Sequence, residues 1–309
     1  MRYGVIIHGG AWNIPENLVD AHVKGVRRAC VEASEILEDG DGIALDAAEH
    51  AITLMEKNPT FDAGKGSFVN QIAEVEMDAI IATDDYKIGS VAAIQNVTNP
   101  VKVARLVMEK TDHIMLVGKG ANLFAQEMGV PEVQPQDLLI GRELERYHSI
   151  KEKKHYQPKD AFRNKGRPDR HGTVGCVCLD QAGSFCVAVS TGGTPYKRAG
   201  RVGDTPLWGS GAYVEKGIGG AAATGYGEDL IRILATNKCI QYIKAGSSAQ
   251  EAASLTVHDL DLKVKGLGGI IVLTSAAIGL AFNTPRMAYA YQIENQGVRC
   301  GINHEDFQP

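Results

Sequence analysis

The sequence lacks any window of about twenty consecutive apolar residues, the length needed to cross a bilayer, which argues against a membrane span. It also lacks an excess of positive charge. Lys and Arg number 32 against 37 Asp and Glu, a formal net charge of -5, with pI near 6.0. That balance disfavours nucleic acid or an anionic membrane surface as the main partner. Paired cysteines are missing too: residues 30, 176, 178, 186, 239 and 300 form no C-x-x-C spacing. The C-x-C at 176 and 178 points both thiols to one face of a strand, where they pack as small hydrophobes. Nothing here indicates an oxidising compartment. The opening "MRYGVIIHGG" has neither the apolar core nor the small-residue cleavage site of a signal peptide. A cytoplasmic location is expected.

What is present is ordinary for a globular enzyme. The 309 residues suffice for one large domain or two smaller ones, with 44% apolar and 22% charged residues. Thirty-five glycines imply many tight turns. "GVIIH", residues 4–8, reads as a buried strand ending at Gly9-Gly10, followed by helices near 17–38 and 43–57. "NPTFDAGKGS" is a turn-rich loop. Strands are expected at "EVEMDAIIAT", "KIGSVAAIQ" and "HIMLVG", with a helix opened by Asn99-Pro100 and another at "GANLFAQEMG".

Residues 142–170 differ, because fifteen of these twenty-nine positions are Asp, Glu, Lys or Arg. That composition predicts a charged linker, partly helical and partly disordered. Beyond it, "TVGCVCLD" and "SFCVAVST", joined by "QAG", form a β-hairpin pattern. Strand-like runs recur at "GAYVE", "GAAAT", "GGIIVLTS" and "IGLAFNT", and helices are expected near 227–244 and 248–263. The latter opens with Ser248 and Glu251 in a capping box. Strands without polar alternation imply sheets covered on both faces. Helices grouped between sets of strands favour two stacked sheets flanked by helices, an α/β fold.

The most informative junction is "HGTVG", where the charged segment meets the hairpin at Thr173. If the bond before Thr173 were cut, its nitrogen would become an α-amine with a pKa near 7.7–8.0, against about 10.4 for lysine. Roughly a third of such amines are neutral at pH 7.5, so one residue would carry both nucleophile and general base. Gly172, without a Cβ, lets the peptide bend until the hydroxyl reaches its carbonyl, permitting an N-to-O acyl shift. A β-branched residue at a strand start is otherwise unremarkable; the partners downstream decide.

A symmetric hairpin returns Thr191 of "VSTGG" close to Thr173. "GRVGD" puts Arg201 and Asp204 on one tight loop. A guanidinium matches a carboxylate and a carboxylate matches an ammonium, so the pair suits an amino-acid zwitterion. "ATGYGED" sits at a strand-to-helix junction, where the Thr224 hydroxyl and the Gly225 amide make an oxyanion site. Gly225 and Gly227 allow close backbone approach to a ligand.

Taken together, "IIHGGAW", "NPTFDAGKGS", "EVEMDA", "NPVKVARLVMEKTDH", "HGTVG", "STGG", "GRVGD", "TGYGE", "GLGGIIV" and "FNTPRM" resemble the plant-type L-asparaginase/isoaspartyl peptidase family of N-terminal-nucleophile hydrolases, over nearly the whole chain. The resemblance implies a single domain, 1–309, built as a four-layer αββα sandwich. It implies self-cleavage at Gly172-Thr173 into 1–172 and 173–309, with 142–172 as the linker. Thr173 would be the nucleophile, assisted by Thr191. Arg201 and Asp204 would hold the substrate's α-carboxylate and α-amine, and Thr224 and Gly225 the oxyanion, with Tyr226 and Gly227 lining the pocket. No catalytic cofactor is implied. A structural sodium would be held by backbone carbonyls of Met55, Glu56, Asn58, Phe61, Ala63 and Lys65. The partners would be small amino-acid and isoaspartyl substrates and a second αβ unit, as a homodimer.

Three positions depart from the family's pattern. Asp62 stands where relatives commonly carry Asn, His171 precedes Gly-Thr in place of an apolar residue, and Tyr226 occupies a variable pocket position. The expected reaction is hydrolysis of L-asparagine and of N-terminal β-aspartyl peptides. Two alternatives use the same scaffold. One is an N-glycan amidase like the glycosylasparaginases, disfavoured by Gly172 in place of Asp and by the missing secretion signal. The other is a non-catalytic amino-acid-binding relative, made possible by Asp62.

Overall fold

The computed structural model describes residues 1–153, 156, 172–294 and 296–308. In chain order the elements are β1 (Gly4–Trp12), α1 (Glu16–Glu38), α2 (Ala44–Glu56), β2 (Met77–Thr83), β3 (Ile88–Ile94), α3 (Pro100–Lys110), β4 (Met115–Val117), α4 (Gly118–Glu127), α5 (Pro135–Leu138) and α6 (Gly141–Lys151). Then follow β5 (Val174–Leu179), β6 (Phe185–Thr191), β7 (Ala212–Glu215), β8 (Gly219–Gly225), α7 (Gly227–Ile233), α8 (Ala235–Lys244), α9 (Ala249–Val264), β9 (Gly268–Leu273), β10 (Ile278–Phe282), β11 (Arg286–Ile293) and β12 (Arg299–Gly301).

The strands form two sheets. The larger runs β12-β11-β1-β5-β6-β2-β3-β4 and the smaller β10-β9-β8-β7. Every pairing is antiparallel except β3 with β4. The period-two alternation of β5 shows how the sheets stack. Val174, Cys176 and Cys178 join an apolar cluster with Val26, Ala29 and Ala33 of α1 and Ala47, Ala51 and Met55 of α2. Val177 and Leu179, pointing the other way, join Ala222, Ile271 and Leu273 of the smaller sheet. The far face of that sheet, with Ala221, Ile270 and Val272, packs on Cys239 and Ile240 of α8 and Ala252 and Ala253 of α9. The two C-x-C thiols are buried as expected, with their sulfurs 3.3 Å apart.

Several elements depart from the sequence expectation. β1 does not stop at Gly9-Gly10 but continues to Trp12, with an irregularity between His8 and Ala11. It is held there by β11, a strand the local pattern did not disclose because it is buried along nearly its whole length. The helix expected over 227–244 breaks at Leu234, whose φ of 52° is left-handed and ends α7. Within the charged segment, α6 buries Tyr147 and Ile150. His171 and the other residues of 154–171, apart from Tyr156, lie outside the described residues. The capping box forms as expected, Ser248 accepting from the Glu251 amide. Among the described residues no helix is long and apolar enough to cross a membrane.

Candidate active site

The β5–β6 hairpin sets the first contact. Val174 pairs with Ser190, so the next position outward faces Thr173 to Thr191. The Thr173 Oγ donates to the Thr191 Oγ at 3.2 Å. The Gly193 N–H donates to the same Thr191 oxygen at 2.9 Å, fixing its orientation. Strand register, not a specific side-chain clasp, brings the two hydroxyls together.

Behind Thr173 sits His8, a residue the sequence reading passed over. Its ring is fully buried and burial pushes its pKa down to about 3, so the imidazole is neutral. Nδ1 lies 3.1 Å from the Thr173 carbonyl oxygen, and a neutral ring protonated at Nδ1 donates there. Gly175 makes room for it, since a Cβ at that position would lie 2.2 Å from His8 Nε2. This gives the second glycine of "HGTVG" a packing reason.

Asp62 joins the two threonine segments through its main chain. Its N–H donates to the Gly172 carbonyl at 3.2 Å, and its own carbonyl accepts from Gly192 N–H at 3.0 Å. The carboxyl accepts from the Phe68 amide at 3.0 Å. Burial raises its pKa well above the ordinary aspartate range. The oxygen of the bond expected to break is thus already hydrogen-bonded to a backbone donor.

Asp204 is buried and Arg201 half-buried, next to the start of α7. Gly227 explains how they fit: a Cβ there would lie 2.9 Å from Asp204 Oδ1 and 3.0 Å from Arg201 Nη2. Burial pushes the Asp204 carboxyl up to about 7 despite the nearby guanidinium, and its Oδ2 is buried without a hydrogen-bond partner among the described residues. Arg201 is not free. Its Nε and Nη2 donate to the two carboxylate oxygens of Glu228 at 3.0 and 2.7 Å. Asp78, directly opposite Thr191 in the β2–β6 register, accepts from the Ala93 N–H at 2.8 Å; burial raises its pKa, with the charges of Lys197 and Arg201 acting against that shift. Lys197 is buried nearby, donating to the Glu76 carbonyl at 2.7 Å. Burial lowers its pKa, with Asp78 acting against that shift.

Thr224 ends the buried part of β8, where its Oγ accepts from the Ala11 N–H at 3.3 Å. Its own O–H remains available to donate. Gly225 takes a φ of 146° beside Gly268, a conformation open to glycine. Tyr226 is half-buried at the start of α7, its amide bonded to the Leu267 carbonyl. A cavity of about 690 Å³ is lined by Thr194, Tyr196, Lys197, Arg201 and Glu228 among others; of the site residues expected from the sequence, Arg201 alone lines it.

The six carbonyls expected to face a cation lie on the end of α2 and the loop after it. The Glu56 carbonyl accepts from Lys65 N–H at 2.7 Å and the Asn58 carbonyl from Phe61 N–H at 3.2 Å. His8, Asp78, Lys197 and Glu228 are the residues sequence reasoning missed. His8 stands in "IIHGGAW", Asp78 in "EVEMDA" and Glu228 in "TGYGE", but nothing local in those motifs marks their partners.

Known proteins resemble this chain over most of its length. Residues 1–302 match the family described as Asparaginase. A Homo sapiens isoaspartyl peptidase/L-asparaginase is 41% identical over 305 residues, covering 98% of this chain and 96% of its own length. The Mus musculus protein of the same name is 38% identical over 302 residues, 97% and 90% of the two chains. A plant-type L-asparaginase from Pyrococcus horikoshii is 39% identical over 301 residues, 93% and 95%. With a match along nearly its full length and relatives this similar, the chain belongs to the asparaginase family that includes the isoaspartyl peptidases.

Proposed function

We propose that this enzyme hydrolyses L-asparagine and N-terminal β-aspartyl peptides after cutting its own chain at Gly172-Thr173. The carrying observation is the Thr173–Thr191 hydroxyl contact at 3.2 Å, at the start of a strand whose preceding carbonyl is held by Asp62. In maturation, Thr173 Oγ bonds to the Gly172 carbonyl carbon while the C–N bond breaks and the hydroxyl proton passes to the nitrogen. Water then hydrolyses the ester, freeing the Gly172 carboxylate and restoring the Thr173 hydroxyl beside the α-amine that the shift released.

In turnover that amine takes the hydroxyl proton as Oγ attacks the substrate's side-chain carbonyl. The Thr224 hydroxyl and Gly225 amide stabilise the oxyanion, and the proton leaves with ammonia or the departing amine. Water hydrolyses the β-aspartyl ester and aspartate is released. Arg201 and Asp204 hold the α-carboxylate and α-ammonium, with Tyr226 and Gly227 lining the pocket. Both substrate classes present that zwitterion, so one site serves both. The names of the relatives favour this reading over an N-glycan amidase.

The same reading sets the assembly. The layers of helices and sheets correspond to an αββα sandwich in which 1–172 and 173–309 remain one domain, paired with a second αβ unit as a homodimer. Six free cysteines suit a reducing compartment, and we place the enzyme in the cytoplasm. A structural sodium fits the carbonyl loop. The Phe61, Ala63 and Lys65 carbonyls accept no backbone hydrogen bond from the described residues, and each remaining donor keeps a second lone pair. Met55, Glu56, Asn58, Phe61, Ala63 and Lys65 would hold the ion, which would supply only charge to brace the loop carrying Asp62.

The test is aspartate release at neutral pH from β-Asp-Leu, N-acetyl-β-Asp-Leu and α-Asp-Leu. Only the first should react. Acetylation removes the ammonium that Asp204 needs, and α-linkage consumes the carboxylate assigned to Arg201. Comparable rates for the acetylated and free β-aspartyl dipeptides would contradict zwitterion recognition.

A further inference from the structure

We infer that Glu228 is a positioning residue for substrate binding: it locks the Arg201 guanidinium by its Nε/Nη2 edge and turns the opposite edge to the substrate carboxylate. The inference rests on the reading that Arg201 binds that carboxylate. Four observations carry it. The first is the fork itself, with Arg201 Nε to Glu228 Oε1 at 3.0 Å and Nη2 to Oε2 at 2.7 Å. An arginine has five N–H donors, and this contact uses two of them. Nη1 and the second hydrogen of Nη2 form a further pair with the spacing of a carboxylate.

Second, two glycines leave room for the guanidinium. Nη1 lies 3.0 Å, and Cζ and Nη2 3.4 Å, from the point where a Cβ on Gly203 would stand, and Nη2 lies 3.0 Å from the corresponding point on Gly227. The group is thus closely packed at both glycines while its Nε/Nη2 edge is held by Glu228.

Third, the two partners meet solvent unequally. The Arg201 side chain is 15% exposed and that of Glu228 is 37% exposed. Both line the 690 Å³ cavity. The carboxylate supports the arginine from the cavity wall, while the arginine is set deeper, beside Asp204.

Fourth, charge accounting favours the arrangement. Arg201, Asp204 and Glu228 together carry one net negative charge when all are ionised. Burial pushes the Glu228 carboxyl up, but the hydrogen bonds and charge of Arg201 outweigh that and hold it below the usual range. Glu228 therefore stays ionised and paired while a zwitterion, itself neutral, enters. Preorganising an arginine in this way lowers the side-chain ordering that substrate binding must otherwise bring about. The effect falls on ground state and transition state alike, so it appears in KM and not in kcat.

The experiment is a double-mutant cycle on the full chain, reading kcat and KM for β-Asp-Leu in wild type, Glu228→Ala, Arg201→Ala and the pair. Glu228→Ala should raise KM about tenfold with kcat within about threefold. On the Arg201→Ala background it should add nothing, because Glu228 acts only through that arginine. Glu228→Gln keeps one acceptor and the side-chain volume, and should fall between wild type and Glu228→Ala. It also keeps the test decisive should the alanine variant fold poorly. An unchanged KM in both Glu228 variants, with Arg201→Ala impaired, would overturn the positioning role. A lowered KM would overturn it too, by showing that Glu228 competes with the substrate. If Arg201→Ala binds substrate normally, the clamp reading itself fails, an outcome distinct from either of these.

Discussion

Thr173 and Thr191 are held 3.2 Å apart by the register of two paired strands, whereas Arg201 and Asp204 stand on a loop and are held by charge. The nucleophile half is built from neutral groups, two hydroxyls and a neutral His8. The clamp half gathers Arg201, Asp204 and Glu228, with Asp78 and Lys197 close by; Asp78, Lys197 and Asp204 are buried, while Arg201 and Glu228 reach the cavity. The difference follows from what each half does. A nucleophile needs fixed position, which a sheet supplies through many backbone hydrogen bonds. A zwitterion needs opposed charges held out of water, and these require partners that only the tertiary fold brings together.

The largest effect expected is on the nucleophile half alone. Purified wild-type protein should separate on a denaturing gel into fragments 1–172 and 173–309. Thr173→Ala should remain one chain, because no hydroxyl starts the acyl shift. Since the hairpin register does not depend on that hydroxyl, the variant should fold with its clamp in place. Intact-mass measurement checks this, and scission of the variant at the same bond would mean an outside protease does the cutting.

A second prediction exploits the charged half. Asp204 must be ionised to receive an ammonium, and burial has raised its pKa to about 7. The Thr173 amine must be neutral to act as base, with an ordinary pKa near 7.7–8.0. Both requirements are lost as pH falls, so kcat/KM should decline toward acid with a logarithmic slope approaching two below about pH 6.5. That amounts to about a hundredfold per pH unit at the limit. A slope of one would mean only the amine titrates in this range, and that Asp204 is stabilised as the anion more than its burial indicates.

The same contrast explains what was legible in the sequence. The hairpin, its apolar alternation and the threonine at its border are local patterns, so the Thr173–Thr191 contact could be anticipated. α1, α2, α9 and most strands were legible for the same reason. Three things were not. β11 is buried along nearly its whole length, and a strand of that kind lacks the alternation that marks a half-exposed one. His8 reads only as the end of the strand "GVIIH", because its partner, the Thr173 carbonyl, lies 165 residues away. Glu228 is 27 residues from Arg201 and meets it only because β8 and α7 carry it to the clamp loop. Partners set by long-range packing leave no spacing to read.

The smallest effect expected compares one substitution in the two halves. Gly227 sits at the first position of α7, and its φ is not in the left-handed region, so alanine there suits the helix and costs nothing in backbone strain. Its new Cβ would stand 2.9 Å from Asp204 Oδ1 and 3.0 Å from Arg201 Nη2. These two side-chain atoms can retreat by a few tenths of an ångström, and the Asp204 backbone nitrogen, also 3.0 Å away, lies on a loop that can shift with them. Gly227→Ala should therefore leave the melting temperature near wild type while raising KM for β-Asp-Leu about threefold to tenfold, with kcat nearly unchanged. Gly175→Ala is the counterpart in the nucleophile half. Its Cβ would stand 2.2 Å from a fully buried imidazole that has nowhere to go, so the loss should be in stability, about 1–3 kcal/mol. Thermal melts and steady-state kinetics on the two variants separate the effects. If Gly227→Ala lowers the melting temperature as much as Gly175→Ala does, the clamp is part of the packed core and the distinction between a half fixed by backbone and a half fixed by charge does not hold.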